Sequence, residues 1–324
     1  MSNRTATAVA HPNIALIKYW GNRDQVLRLP SNPSLSMNMG GLSTTTTVEF
    51  DPALTADVVV LGSRTISGPG RDRVVRLLDR VRQLAGLDLF AHMHSRNEFP
   101  AGAGLASSAS GFAALALAAS AAAGLSLSEA DLSRLARLGS GSACRSVPGG
   151  FVEWTTGDDD RSSYAHSIAP AEHWDLHDVV ALIDLGHKAV GSTEGHVVAD
   201  TSPLQAARVA SVPDRLAQAR SAVLTRDFSS LAEVVELDSL MMHAVMITSS
   251  PVLMYWQPAT IAVMQAVSEW RCAGLPACTT IDAGPNVHVL CPADAAPEVA
   301  QRVSRIAGVR RIVTTHAGGP ARLL

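Results

Sequence analysis

Two glycine- and serine-rich segments carry residues suited to binding phosphates or carboxylates. The first, Pro100–Gly111, reads PAGAGLASSASG and lies between a predicted strand and an apolar helix. Its small residues let the backbone approach a polyphosphate, and the helix start presents amide hydrogens and a positive dipole end. The Gly-Lys-Ser/Thr ending of a Walker A loop is absent. The segment therefore fits either a phosphate loop or a turn whose small residues serve packing alone.

The second segment is Gly139–Gly150, GSGSACRSVPGG. Within one short turn it offers the hydroxyls of Ser140 and Ser142 and the guanidinium of Arg145. An arginine can hold a carboxylate or a phosphate with two parallel hydrogen bonds. The alternative is an exposed arginine in a surface ion pair, which contributes little. Two Gly-Ser pairs beside an arginine favour a binding site.

Two charged residues stand next to apolar strands. Asp282 follows the predicted strand Cys278–Ile281 and precedes a Gly-Pro turn, so it either caps that turn or serves as a base in a cleft. Lys18 ends the apolar run of Asn13–Asp24, where it must reach solvent or find a partner. Asp282 is the candidate partner. Arg23 and Asp24, in the same segment, are interpreted as structural.

The composition indicates a folded chain with an aliphatic core. Of 324 residues, 47% are hydrophobic and 17% are charged, and the net charge is −3. No basic block suggests a nucleic-acid or anionic-membrane partner. The four cysteines form no CxxC pair, which is typical of reduced thiols in a cytosol. Gly111–Leu127 is shorter than the roughly 20 residues of a membrane span and predicts a buried helix, and Met1–His11 lacks a signal-peptide pattern.

The order of predicted elements indicates an α+β fold in two fused lobes. The first half shows strands at Thr44–Phe50 and Val58–Leu61, a helix at Arg73–Leu84, another strand and two further helices. The second half shows a buried strand at Val179–Asp184, a long helical region and three more strands. This pattern predicts an antiparallel sheet with packed helices in each half. The lobes are expected at residues 1–177, with the phosphate loop, and 178–324, with Asp282.

Several segments together resemble the mevalonate diphosphate decarboxylase family, within the superfamily of galactokinase, homoserine kinase, mevalonate kinase and phosphomevalonate kinase. The matching segments are NIALIKYWGNRD, LPSNPSLSM, AGLASSASGFAAL, RLGSGSACRSVPGGFVEW, STEGHVVADTSP and IDAGPN, in the family's order. The resemblance implies a GHMP-kinase-like fold with a ferredoxin-like C-terminal lobe and the active site in the cleft between the lobes. It also implies ATP with Mg²⁺, a phosphorylated mevalonate as substrate, a cytoplasmic location and a homodimer. The spacing of the histidines suggests no metal site.

The resemblance also assigns residue roles. Asp282 would be the catalytic aspartate facing the C3 hydroxyl, with Lys18 beside it, Arg145 on the substrate carboxylate and Ser108 on the ATP phosphates. The implied ATP-binding residues are Gly102, Ala103, Gly104, Leu105, Ala106, Ser107 and Ser108. The implied substrate-binding residues are Tyr19, Trp20, Asn22, Arg73, Ser140, Gly141, Ser142, Ser192 and Thr193.

One departure from the family's pattern bears on the substrate. Asn22 stands where members that act on the diphosphate usually have a lysine facing the terminal phosphate. A neutral residue there suits a monophosphate, and the AHP and TTTTVEF segments are similar to phosphomevalonate decarboxylases. The sequence thus predicts mevalonate 5-phosphate as substrate and isopentenyl phosphate as product. The alternatives are the diphosphate, with Lys188 or an arginine supplying the charge, a kinase that does not decarboxylate, and a non-catalytic binding protein.

Overall fold

The computed structural model describes residues 4–99, 106–184 and 191–324. The strands are β1 (Thr5–Ala10), β2 (Asn13–Ile17), β3 (Asn22–Asp24), β4 (Leu29–Pro30), β5 (Ser34–Gly40), β6 (Thr44–Asp51), β7 (Val58–Leu61), β8 (Arg64–Thr65), β9 (Phe90–Asn97), β10 (Phe151–Trp154), β11 (Ala165–Ala169), β12 (Leu176–Leu182), β13 (Cys278–Thr280), β14 (Val287–Pro292), β15 (Arg311–Ala317) and β16 (Arg322–Leu323). The α-helices are α1 (Pro69–Ala85), α2 (Ser107–Ala122), α3 (Glu129–Gly139), α4 (Ser192–Val198), α5 (Gln205–Thr225), α6 (Phe228–Ile247), α7 (Pro258–Cys272) and α8 (Ala296–Ser304).

The first sheet is built around the threonine-rich strand β6. Its strand order is β16-β1-β6-β9-β7-β8, and its pairs are antiparallel apart from the parallel pair β7–β9. The side chains of β6 alternate between buried and more exposed positions, because one face of the strand covers a core. α2 packs on β1 and β6, and α1 and α3 pack beside it. This layer holds the start of α2 at the rim of the first sheet.

The second sheet joins the two halves of the chain. Its order is β11-β10-β5-β15-β12-β14-β13, with β2 also paired to β5. β5 comes from the first half and β15 from the second, and they are hydrogen-bonded neighbours. β16, at the end of the second half, pairs with β1 in the first sheet. The predicted lobe boundary after residue 177 falls inside β12, and this division of the chain stays a prediction.

α2 is buried on nearly all sides, as its alanine-rich sequence predicts. Its small side chains let the helix approach β1, β6 and α3 closely, so it shows no polar face. Within the described ranges, no helix is both long enough and apolar enough to cross a membrane. The predicted apolar stripe of α1 is also confirmed, with Val74, Leu77, Leu78 and Val81 buried.

The sequence does not predict β5, although this strand is buried at every position. Three of its residues, Ser34, Ser36 and Asn38, are polar and hide the expected apolar pattern. They are tolerated because each finds a partner, as Asn38 does by donating to the carbonyl of Pro148 at 2.7 Å. Ser34 has a different use, because its hydroxyl accepts a hydrogen bond from Arg145. The strand that is hardest to predict therefore supports a candidate site residue.

Candidate active site

Lys18 and Asp282 meet at the wall of a cavity of 780 Å³. Lys18 follows β2 and Asp282 follows β13, and the Nζ–Oδ1 distance is 2.7 Å. The lysine side chain is 1% exposed, whereas that of Asp282 is 35% exposed. Burial lowers the pKa of Lys18 below its usual value, and the neighbouring carboxylate opposes this shift. The predicted pairing is therefore present, with the carboxylate on the side open to solvent.

A fully buried aspartate fixes the backbone of Lys18. Asp238, in α6, accepts a hydrogen bond from the Lys18 amide at 2.6 Å and another from Nε of Arg215 at 2.8 Å. Arg208, in α5, donates to the Lys18 carbonyl at 2.8 Å. The sequence analysis missed these residues, because charged positions on helices usually mark a solvated face. The only signal was their place among the apolar residues of a long helical region.

Arg145 is a buried cation whose contacts here are with neutral groups. It lies in the short 3₁₀ helix Gly141–Ser146 and is 3% exposed. It donates to the Ser34 hydroxyl at 2.7 Å and to Oδ1 of Asn13 at 3.3 Å. Among the described residues no carboxylate lies within ion-pair distance of it, and its Nε is buried without a hydrogen-bond partner. A buried guanidinium of this kind favours an anionic ligand.

Three serine hydroxyls connect the start of α2 to the Gly139–Gly150 segment. Oγ of Ser140 lies 3.3 Å from Oγ of Ser108 and 3.4 Å from Oγ of Ser142. Among the described residues, no side-chain cap is found at the start of α2, and Ala106, Ser107 and Ser108 line the cavity at this positive end of the helix. The described part of the first predicted anion-binding segment therefore lies beside the second.

Gly141 is required by the ring of Tyr19. A Cβ at this position would stand 2.6 Å from the hydroxyl oxygen and from a ring carbon of Tyr19. The hydroxyl of Tyr19 in turn donates to Oδ1 of Asn22, whose Nδ2 donates to Gln25 at 3.0 Å. Asn22 is buried and does not line the cavity, so its side chain supports Tyr19 instead of facing the cavity directly.

Two arginines line the cavity on the side of α1 and α2. Arg73 is held over the ring of Phe112, with Cζ 5.6 Å from the ring centroid. Arg28 donates from Nε to the carbonyl of Leu138 at 3.2 Å. Burial lowers the pKa of each; repulsion from Arg76 adds to both shifts, and repulsion from Arg28 adds to the shift of Arg73. Arg73 was predicted and Arg28 was not, because its neighbours match no motif. Clustered cations of this kind favour a phosphate.

The cavity brings together most of the predicted site residues. Gly102, Ala103, Gly104 and Leu105 lie outside the described residues, as do Lys188 and the side chain of Ser192. Those that line the cavity are Lys18, Tyr19, Trp20, Arg73, Ala106, Ser107, Ser108, Ser140, Gly141, Ser142, Arg145, Thr193 and Asp282. In the described part of the chain, no group of three His, Cys, Asp or Glu side chains is placed to hold a metal ion.

Two family models match this chain. The model described as the diphosphomevalonate decarboxylase-like N-terminal domain matches residues 10–165, and the mevalonate 5-diphosphate decarboxylase C-terminal domain matches residues 179–321. A diphosphomevalonate decarboxylase from Ganoderma lucidum is 39% identical, over 94% of this chain and 82% of its own length. A phosphomevalonate decarboxylase from Haloferax volcanii is 37% identical, over 98% of this chain and 97% of its own.

Solved structures agree with these matches. A structure described as MDDEF in complex with MVAPP, AMPPCP and magnesium has a TM-score of 0.93 and 39% identity, covering 99% of this chain and 98% of that one. A mevalonate diphosphate decarboxylase from Staphylococcus aureus gives a TM-score of 0.93 at 38% identity, with coverage of 99% and 98%. The predicted family and the predicted GHMP-kinase-like α+β fold are confirmed.

Proposed function

The chain belongs to the diphosphomevalonate decarboxylase family, and we propose that it phosphorylates mevalonate 5-phosphate on the C3 hydroxyl with ATP and converts it to isopentenyl phosphate, ADP, phosphate and CO₂. The observation that carries this proposal is the combination of the Lys18–Asp282 pair and the buried guanidinium of Arg145 on one cavity. A kinase alone needs the first feature and not the second. Decarboxylation needs a cation that orients a carboxylate.

In the first step Asp282 accepts the proton of the C3 hydroxyl while the oxygen forms its bond to the γ-phosphorus of ATP. A carboxylate is a weak base, so it acts only when held within hydrogen-bond reach of the hydroxyl. Lys18 fixes its orientation through the 2.7 Å contact and adds positive charge beside the reacting oxygens. The bond from the γ-phosphorus to the β-phosphate oxygen breaks, and ADP leaves.

In the second step the C3–oxygen bond breaks and inorganic phosphate leaves. The bond between C2 and the carboxyl carbon breaks as well, and its electron pair becomes the C2–C3 double bond as CO₂ departs. Arg145 holds the carboxylate in the alignment that this loss requires. Its anchors, Ser34 and Asn13, are neutral. A neutral setting leaves the charge of the guanidinium for the substrate.

ATP with Mg²⁺ is proposed as the phosphoryl donor, since a structural neighbour is described in complex with AMPPCP and magnesium. The described residues fit the phosphates of a nucleotide, because the uncapped start of α2 and the hydroxyls of Ser107 and Ser108 border the cavity. Bound Mg²⁺ would neutralise charge on those phosphates. The protein's part is to orient the nucleotide with backbone amides and hydroxyls.

The monophosphate is proposed as substrate because position 22, where relatives that act on the diphosphate usually carry a lysine, is neutral here and its side chain lies behind Tyr19. Asn22 is neutral, and its amide is engaged by Tyr19 and Gln25. The Haloferax volcanii relative, which matches almost end to end, is named for the monophosphate. The second candidate is the diphosphate, favoured by the names of the fungal and animal relatives and by the arginines Arg28 and Arg73 on the cavity.

The deciding experiment compares mevalonate, its 5-phosphate and its 5-diphosphate with ATP and Mg²⁺, following ADP and CO₂ together. We expect the highest kcat/KM for the 5-phosphate, with ADP and CO₂ in equal amounts. A higher kcat/KM with the diphosphate would contradict the monophosphate as the substrate but would leave the proposed mechanism unchanged. ADP without CO₂ on every substrate would make the enzyme a kinase.

Asn22→Lys tests the charge argument directly, with Asn22→Gln as the neutral control. If position 22 sets the preference, the ratio of kcat/KM for the diphosphate to kcat/KM for the monophosphate should rise about tenfold in the lysine variant. That change corresponds to roughly 1.4 kcal/mol in a charge-assisted contact. The glutamine variant keeps the wild-type ratio. Equal ratios in both variants would assign the preference to other residues.

A further inference from the structure

His196 is a buried histidine that lines the cavity and has no role in the chemistry above. It lies in α4 and is 8% exposed. Its ring stacks on Tyr19, with centroids 4.1 Å apart, and tilts against Trp20 at 4.7 Å. The neighbouring Gly195 leaves no room for a Cβ, which would stand 2.5 Å from the Trp20 ring. The ring is therefore held in one orientation by packing on both sides.

The hydrogen bonding of His196 fixes its tautomer. The backbone amide of Gly21 donates to Nδ1 at 3.0 Å, so Nδ1 is the acceptor and the neutral ring carries its proton on Nε2. Burial and the surrounding cations lower the pKa of His196 to about 3, which keeps the ring neutral near pH 7. Nε2 makes no hydrogen bond with the described residues and is not sealed from solvent. The result is one N–H donor without a partner among the described residues, on a ring that lines the cavity.

The neighbouring charges that lower the pKa of this ring are positive. They belong to Arg28, Arg145 and Arg208. Arg28 lies on the side of the cavity where the arginines cluster, and Arg145 lies beside the candidate carboxylate site. A donor in a positive field is matched by an anionic oxygen. A neutral donor adds a directed hydrogen bond without adding a further charge to a crowded set of cations.

We propose that His196 is a substrate-binding residue whose Nε2–H donates to an oxygen of the 5-phosphate of the substrate. This inference rests on the proposed function, because it takes a phosphorylated mevalonate as the ligand. The ring would bridge the carboxylate end, held by Arg145, and the phosphate end, near Arg28. Its fixed tautomer makes it selective for an acceptor, since an ammonium or amide donor at the same place would meet an N–H group.

Two substitutions separate this role from a purely structural one. His196→Gln places a donor nitrogen near the position of Nε2 and forfeits the acceptor for Gly21. His196→Asn places an acceptor oxygen near Nδ1 and leaves nothing at Nε2. If the donor matters, Asn raises the Kd for mevalonate 5-phosphate about tenfold, as expected for one hydrogen bond to a charged group, and Gln stays within about threefold of the wild type. If the ring only holds Gly21, the order is reversed.

The experiment measures binding of mevalonate 5-phosphate by calorimetry without ATP, and then KM and kcat with ATP and Mg²⁺. We expect the loss in the Asn variant to fall on KM with kcat nearly unchanged, because the contact exists in both the ground and transition states. As a measurement that needs no variant, the Nε2–H resonance of His196 in the wild-type protein should shift on adding mevalonate 5-phosphate.

The outcomes for the two proposals are distinct. Wild-type turnover of mevalonate 5-phosphate, together with an unmoved Nε2–H resonance and a wild-type Kd in the Asn variant, overturns the role of His196 alone. Equal losses in the Asn and Gln variants, with thermal melting unchanged, also overturn it. A wild-type protein that neither binds nor turns over any phosphorylated mevalonate overturns the proposed function and this inference with it.

Discussion

Replacing Asp282 with asparagine removes one negative charge and keeps the size of the side chain. In the proposed mechanism the variant loses the group that accepts the C3 hydroxyl proton. A positioned general base contributes about 10²- to 10⁴-fold to a rate, so kcat should fall at least 10²-fold. KM should change less, because the carboxylate acts on a proton that moves only in the transition state.

The same substitution has a calculable effect on stability. Lys18 is 1% exposed and loses the partner that lies 2.7 Å from its Nζ. Breaking a fully buried pair costs about 3–5 kcal/mol, whereas an exposed pair contributes about 0–1 kcal/mol. Because Asp282 is 35% exposed, water screens the pair, and we expect a loss of about 2 kcal/mol in the free energy of unfolding. In a chain of this length that corresponds to a fall of roughly 3 °C in Tm.

The stability loss should depend on pH with a definite sign. The pKa of Lys18 is already below its usual value of 10.5 in the folded protein, and the carboxylate opposes that shift. Without the carboxylate the folded pKa falls further, while the unfolded pKa stays the same. Near neutral pH the unfolded variant then binds a proton on Lys18 more tightly than the folded variant does. The loss in the free energy of unfolding is therefore largest there. The difference from the wild type should narrow as the pH rises towards 10.5.

The assay combines stopped-time ADP and CO₂ measurements with thermal melting between pH 7 and 10. The matched control is Lys18→Met in the Asp282→Asn background, which removes the stranded ammonium and should recover part of the lost stability without restoring activity. Turnover of Asp282→Asn within a few-fold of the wild type would refute the base role. A stability loss independent of pH, and unchanged by Lys18→Met, would refute the account of the buried pair.

Three further predictions concern the groups around this pair. Arg145→Gln should abolish both ADP and CO₂ formation while the protein stays folded, because a substrate whose carboxylate is not held does not place its C3 hydroxyl beside Asp282; ADP release without CO₂ would restrict Arg145 to the second step. Gly141→Ala places a Cβ 2.6 Å from the Tyr19 hydroxyl and ring, so KM for the phosphorylated substrate should rise at least about tenfold, whereas unchanged kinetics would show that the loop can move aside. Asp238→Asn leaves Arg215 buried without its carboxylate and weakens the anchor of the Lys18 amide, so unfolding should become easier by about 3 kcal/mol, measured by urea titration against the wild type.

The family, the two candidate anion-binding segments and the pairing of Lys18 with Asp282 could be predicted from the amino-acid sequence. This was possible because these features are local or leave an anomaly in a local pattern. A lysine at the end of an apolar run needs a partner, and a loop made of small residues allows close backbone approach. The same reasoning identified the buried helix α2 and the apolar stripe of α1, whose periodicities are carried by neighbouring residues.

Which distant groups share the cavity could not be predicted from the sequence and follows from the three-dimensional packing. Asp238 lies 220 residues from Lys18 in the chain, and His196 lies 175 residues from the Gly21 amide that fixes its tautomer. Arg28 lines the cavity on the side of α1 and α2, although both helices come much later in the chain. Asn22 lies behind Tyr19 and not on the cavity wall, so its neutral side chain supports Tyr19 and does not face the cavity directly. Such contacts depend on the packing of whole elements, and burial then sets the charge state of each group, so neither can be inferred from spacing along the chain.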